Sequence, residues 1–73
     1  MHIETLTRMA QQIARNNQAI PPDEAAEKVA GHLHAFWTPA MLRELEAFAA
    51  YSPQELDPIV VSALDILRER GEA

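Results

Sequence analysis

Imidazoles, carboxylates and hydroxyls are the side chains of this sequence that could do chemistry. His32 and His34 stand two positions apart, so on a helix their rings diverge by roughly 160°. They cannot hold one metal from a single turn, as an i,i+4 pair can. His32 falls at the border of an apolar stripe and His34 on the outer face. Glu44 and Glu46 diverge in the same way, and Asp23 and Glu24 are explained by a helix start, whose positive end favours carboxylates. A general acid–base pair needs two groups converging on one cleft, and no spacing here supplies that. Ser52, Ser62, Thr5, Thr7 and Thr38 carry no nucleophile motif around them, and no Gly-rich phosphate loop is present. With no Cys in the chain, disulfides and thiolate metal sites are excluded. The residues therefore point to no catalytic, cofactor-binding or metal-binding role. They point to a protein that binds another protein.

The elements that must position these groups are helical. Five Pro and two Gly punctuate the chain, and each Pro sits where a helix can begin, the one region of a helix that tolerates it. The first helix is expected over about residues 3–16, with Ile3, Leu6, Met9, Ala10 and Ile13 inside and Glu4, Arg8, Gln12 and Arg15 outside. Glu4 and Arg8 have the supportive i,i+4 spacing. Ile20-Pro21-Pro22 then breaks the helix, because a residue before Pro is pushed out of the α region. The second helix, about 22–36, buries Ala25, Ala26, Val29, Leu33 and Phe36. Thr38-Pro39 reads as an N-cap followed by Pro at the first helical position. The third helix, about 39–50, buries Met41, Leu42, Leu45, Phe48 and Ala49. Ser52 to Glu55 has capping-box spacing and predicts a single turn over 53–56. The fourth helix, about 58–70, carries Ile59, Val60, Ala63, Leu64, Ile66 and Leu67, with Leu56 just before it, and residues 71–73 are expected to fray. The fold class is all-α, a single domain of about four short helices arranged as a bundle or as two helical hairpins.

Composition narrows the partners. Eleven Asp and Glu against six scattered Lys and Arg is the wrong balance for a phosphate backbone. Nucleic acid, and with it a helix-turn-helix regulator, is disfavoured. Met1-His2-Ile3-Glu4 lacks the basic and apolar regions of a secretory signal, and Ile59-Val60-Val61 is far too short to span a membrane. The expected location is the cytoplasm. A 73-residue chain buries only about 60% of its unfolded surface, so docking or oligomerisation is the expected supplement to its core.

One corner stands out. His32, Phe36, Trp37, Pro39 and Met41 crowd the junction of the second and third helices, with Arg43 at its edge. Phe36 reads as core. Trp37 lies roughly 80° from the stripe centre, so it either pins the corner or offers a half-exposed interface anchor. Two further faces look too apolar for a lone domain: the wide arc of the fourth helix, extended by Val61, and Ala47 with Ala50 on the third. Either a partner or tighter packing among the four helices covers them.

Three segments, Arg8-Met9-Ala10-Gln11-Gln12-Ile13-Ala14, Val29 through His32-Leu33-His34-Ala35-Phe36-Trp37-Thr38-Pro39-Ala40-Met41, and Leu56-Asp57-Pro58-Ile59-Val60, resemble one family over nearly the whole chain. That family is the delta subunit of cytosolic, molybdenum-containing, NAD-dependent formate dehydrogenases. The run His-Leu-x-x-Phe-Trp-x-Pro-x-Met is its specific element. Gln11 stands where the family commonly has Asn, and Leu42 where it usually has Arg, with Arg43 one place later. The resemblance implies a parent enzyme that oxidises formate and passes electrons to NAD. Its molybdopterin guanine dinucleotide, iron–sulfur clusters and FMN would sit on larger subunits. It implies for this chain a non-catalytic role in stabilising or assembling that complex, in molybdenum-cofactor insertion or retention among other steps. The expected contact residues are His32, Phe36, Trp37, Pro39, Met41 and Arg43. The rival reading is a stand-alone homodimer that uses its fourth helix as the interface.

Overall fold

Four α-helices and one 3₁₀ turn make up the computed structural model, which describes residues 2–71. They are α1 (Ile3–Arg15), α2 (Pro22–Phe36), α3 (Pro39–Tyr51), the turn Pro53–Glu55 and α4 (Pro58–Glu69). The all-α class and the positions of all four helices follow the sequence reading. Their ends differ from it by a residue at most, the usual uncertainty of a fraying terminus. Of residues 71–73, expected to fray, Glu72 and Ala73 lie outside the described residues, and the Gly71 N–H donates to the Arg68 carbonyl at 3.1 Å.

Local chemistry sets these boundaries. The Asn17 side chain donates to the Ile13 carbonyl at 2.9 Å, satisfying one of the orphan acceptors at the end of α1. Trp37 turns extended (φ −96°, ψ 143°), and Thr38 before Pro39 follows it into that region (φ −75°, ψ 157°). The Met41 N–H then donates to the Thr38 hydroxyl at 3.2 Å, the expected N-cap of α3. Asp57 caps α4 likewise, its Oδ1 accepting from the Ile59 N–H at 2.8 Å. The capping box expected at Ser52 does not form through its side chain. Instead the Glu55 N–H donates to the Ser52 carbonyl at 3.0 Å, enough for one 3₁₀ turn. Gly71, at φ +71°, follows α4 with the left-handed backbone that glycine adopts without strain.

The core runs through all four helices. Leu6, Ala10 and Ala14 of α1 meet Val29, Ala30 and Leu33 of α2, Leu42 and Leu45 of α3, and Val60, Ala63, Leu64 and Leu67 of α4. Its main contact joins α2 to α4, two helices that are not consecutive, while α1 spans α3, α2 and α4. Neither consecutive hairpin dominates. Small buried side chains, Ala26 and Ala30 on α2 and Ala63 on α4, leave little bulk between those helices. The wide apolar arc of α4 is thereby explained within the chain: Ile59, Val61 and Ile66 are half-buried against the same core.

The outer helix, α3, rests chiefly on α1. It buries only Leu42 and Leu45 fully, whereas Met41, Phe48 and Ala49, expected inside, are half-covered. A helix with one neighbour fills a narrower stripe than one lying between two. Ala47 and Ala50 face solvent as expected, and Tyr51 beside them is 88% exposed.

A hydrogen bond between distant segments closes the fold. The Asp57 N–H donates to Oε1 of Gln11 at 2.8 Å. That amide belongs neither to the 3₁₀ turn nor to α4, and it has no backbone acceptor. Gln11 thus ties α1 to the start of α4.

Candidate docking groove

The corner singled out in the sequence is built differently from its expectation. Phe36, read as core, is 74% exposed, whereas Trp37 is only 6% exposed. The physical reason is the direction of the α2 stripe. Ala26, Val29, Ala30 and Leu33 are all buried, and their mean direction lies roughly midway between Val29 and Trp37. Trp37 continues it four residues after Leu33, just as the chain leaves the helix. Phe36 stands about 60° to one side and stays largely in solvent. Its ring leans on His32 instead, centroids 4.8 Å apart and tilted by 47°.

This arrangement leaves a groove of about 430 Å³ lined by Arg8, Met9, Gln12, Ile13, His32 and Trp37. Met9 and Ile13, at i,i+4, form one wall from α1. Lys28, His32 and Phe36 form a second i,i+4 ridge along α2, with His32 facing the hollow. Trp37 shows its remaining edge between them. Sequence reasoning missed the α1 side, placing Met9 and Ile13 in the core and Arg8 and Gln12 on an outer face. Arg8 and Gln12 are exposed as expected, whereas Met9 and Ile13 are half-buried at the edge of the α1 stripe. The signal available in the sequence was the Arg8–Ala14 segment itself, which meets the His32–Trp37 segment across this hollow.

The other expected contact residues do not line the groove. Pro39 and Arg43 are exposed and Met41 is half-buried on α3. His34 is exposed on α2, away from the groove lining.

A second hollow of about 360 Å³ lies between the start of α2 and α4, with Asp23, Glu27 and Asp65 among its lining residues. Arg70 reaches Glu27 in a forked contact, its second hydrogen bond at 2.8 Å, and Arg68 pairs with Asp65. Among the described residues, no group of three or more His, Asp or Glu is placed to hold a metal ion. No helix among them is long and apolar enough to cross a membrane.

Fold and groove together define a small all-α protein whose two hollows are open surface features. The chain belongs to the family of the NADH-dependent formate dehydrogenase delta subunit FdsD, whose model matches residues 5–64. All three segments that carry the resemblance fall inside that match. Neither a curated protein nor a solved structure matches the chain.

Proposed function

We propose that this chain is a non-catalytic accessory subunit of an NAD-dependent molybdenum formate dehydrogenase in the cytoplasm. It docks on the larger subunits and stabilises or assembles the complex, aiding insertion or retention of the molybdenum cofactor. Family membership supports the parent complex. The observation that carries docking is Phe36, a large aromatic ring held outside the core beside an open groove. Rings of this kind are common interface anchors. His32, the exposed edge of Trp37, Pro39, Met41 and Arg43 extend the contact around the α2–α3 corner. Molybdopterin guanine dinucleotide, iron–sulfur clusters, FMN and NAD belong on the larger subunits in this reading.

Co-purification tests it. Tagged chain co-expressed with the untagged larger subunits is expected to retain them on the resin. Deleting the chain is expected to lower the molybdenum content and activity of the enzyme that assembles without it. Unchanged assembly, metal content and activity would remove the reading. If the chain sediments as a stable dimer and retains no larger subunit, the homodimer takes its place.

A further inference from the structure

The two hollows differ in the charge of the residues that line them. The chain carries a formal net charge of −5, yet the groove between α1 and α2 has no carboxylate among its lining residues and has Arg8 at its rim. The second hollow has the opposite character, with Asp23, Glu27 and Asp65 in its wall. Two of the six basic side chains, Arg68 and Arg70, are engaged by Asp65 and Glu27 beside that acidic hollow. No other ion pair forms among the described residues: Glu4 and Arg8, and likewise Glu24 and Lys28, are favourably spaced but stay apart. Arg8 and Lys28 are therefore free cations, one on the groove rim and the other a turn from His32 on the α2 ridge. Between them lie apolar surfaces: Met9, Ile13, the edge of Trp37 and, at the end of the ridge, Phe36.

We infer that the groove receives an acidic, amphipathic segment of a larger formate dehydrogenase subunit. This rests on the accessory-subunit reading and adds to it the chemistry of the partner. Apolar side chains of that segment cover Met9, Ile13 and Phe36, and its carboxylates face Arg8 and Lys28, with a donor N–H of His32 between them. Gln12, exposed on the rim, supplies a neutral amide for the segment's backbone. An apolar floor with charges at its border is the general form of such an interface, the floor supplying affinity and the border selecting register and partner. A second copy of this chain is the weaker occupant. A two-fold pair built on this groove would set Arg8 and Lys28 of one copy against the same cations of the other.

The test uses the full chain co-expressed with the larger subunits. Phe36→Ser and the double change Arg8→Gln with Lys28→Gln alter exposed positions without creating like-charge pairs, so each purified chain is expected to keep a cooperative urea transition. Each is expected to weaken retention of the larger subunits at least tenfold. Raising salt from roughly 50 to 500 mM is expected to weaken wild-type binding more than binding of the double variant. A photo-crosslinking phenylalanine analogue at position 36, within the purified complex, is expected to capture a peptide rich in Asp and Glu. If the wild type retains the larger subunits and both variants retain them equally well, the groove assignment falls while the accessory-subunit reading stands. Capture of a basic peptide overturns the partner chemistry. Capture of a second copy of this chain overturns the occupant. Failure of the wild type to retain any larger subunit removes the accessory-subunit reading itself.

Discussion

Exchanging Trp37 or Phe36 for Ala separates the two aromatic neighbours by role. Trp37 is 6% exposed and sits against the core where α2 ends. Truncating a buried Trp to Ala costs about 3–5 kcal/mol, the transfer of the ring plus the cavity left behind. A chain of 73 residues has a total stability of only about 4–11 kcal/mol. Trp37→Ala is therefore expected to consume a large part of it and to lower the melting temperature by more than about 12 °C. Phe36 is 74% exposed, so its ring keeps about 50 Å² covered, worth at most about 1 kcal/mol. Ala in its place returns up to about 0.5 kcal/mol of helix propensity. Phe36→Ala is expected to leave stability within about 1 kcal/mol of the wild type. Urea denaturation followed by far-ultraviolet circular dichroism suits both variants, since Trp37 is the only tryptophan and fluorescence is lost with it. Phe36→Ala destabilising more than Trp37→Ala, or Trp37→Ala costing less than about 1.5 kcal/mol, would contradict the burial of these two rings.

Other expectations concern the joints of the fold. Gln11→Met keeps side-chain length and helix propensity but removes the acceptor for the Asp57 N–H. It is expected to cost about 1 kcal/mol, shown by a lower urea midpoint at unchanged slope, with faster amide exchange at Asp57. Gln11→Glu, which retains an acceptor, should lose less at low pH, where its carboxyl is neutral, than Gln11→Met does. Ala63→Leu forces a larger side chain into the α2–α4 contact, where Ala63 is fully buried, and is expected to cost about 1–3 kcal/mol by overpacking. An Ala63→Leu chain that melts at the wild-type temperature would show that the two helices are not closely apposed.

Much of this architecture is written in local sequence. Pro at the first position of α2, α3 and α4, Thr38 and Asp57 as caps, and apolar residues at helical spacing depend only on near neighbours along the chain. They are readable for that reason, and the helix ends follow them within a residue. Helix order in space is another matter. The pairing of α2 with α4 depends on residues such as Ala26 and Ala30 meeting Ala63, which lies 33 or more positions further along the chain, and no local pattern reports such a match. The same is true of Gln11, whose amide reads as an ordinary surface-to-border side chain until Asp57 is placed beside it.

The docking corner marks the boundary between the two kinds of information. The sequence by itself determined that His32, Phe36 and Trp37 gather where one helix gives way to the next, and that no reactive constellation accompanies them. Helical spacing put Phe36 inside and left Trp37 open, and it misplaced Phe36 because the two rings lie on opposite sides of the α2 stripe, whose centre is set by the neighbouring helices. Tertiary structure decided the matter by packing Trp37 into the core beside α1 and leaving Phe36 largely in solvent against His32. It also brought Arg8, Met9, Gln12 and Ile13 opposite His32. Burial is a property of what surrounds a side chain, and only the assembled helices provide those surroundings.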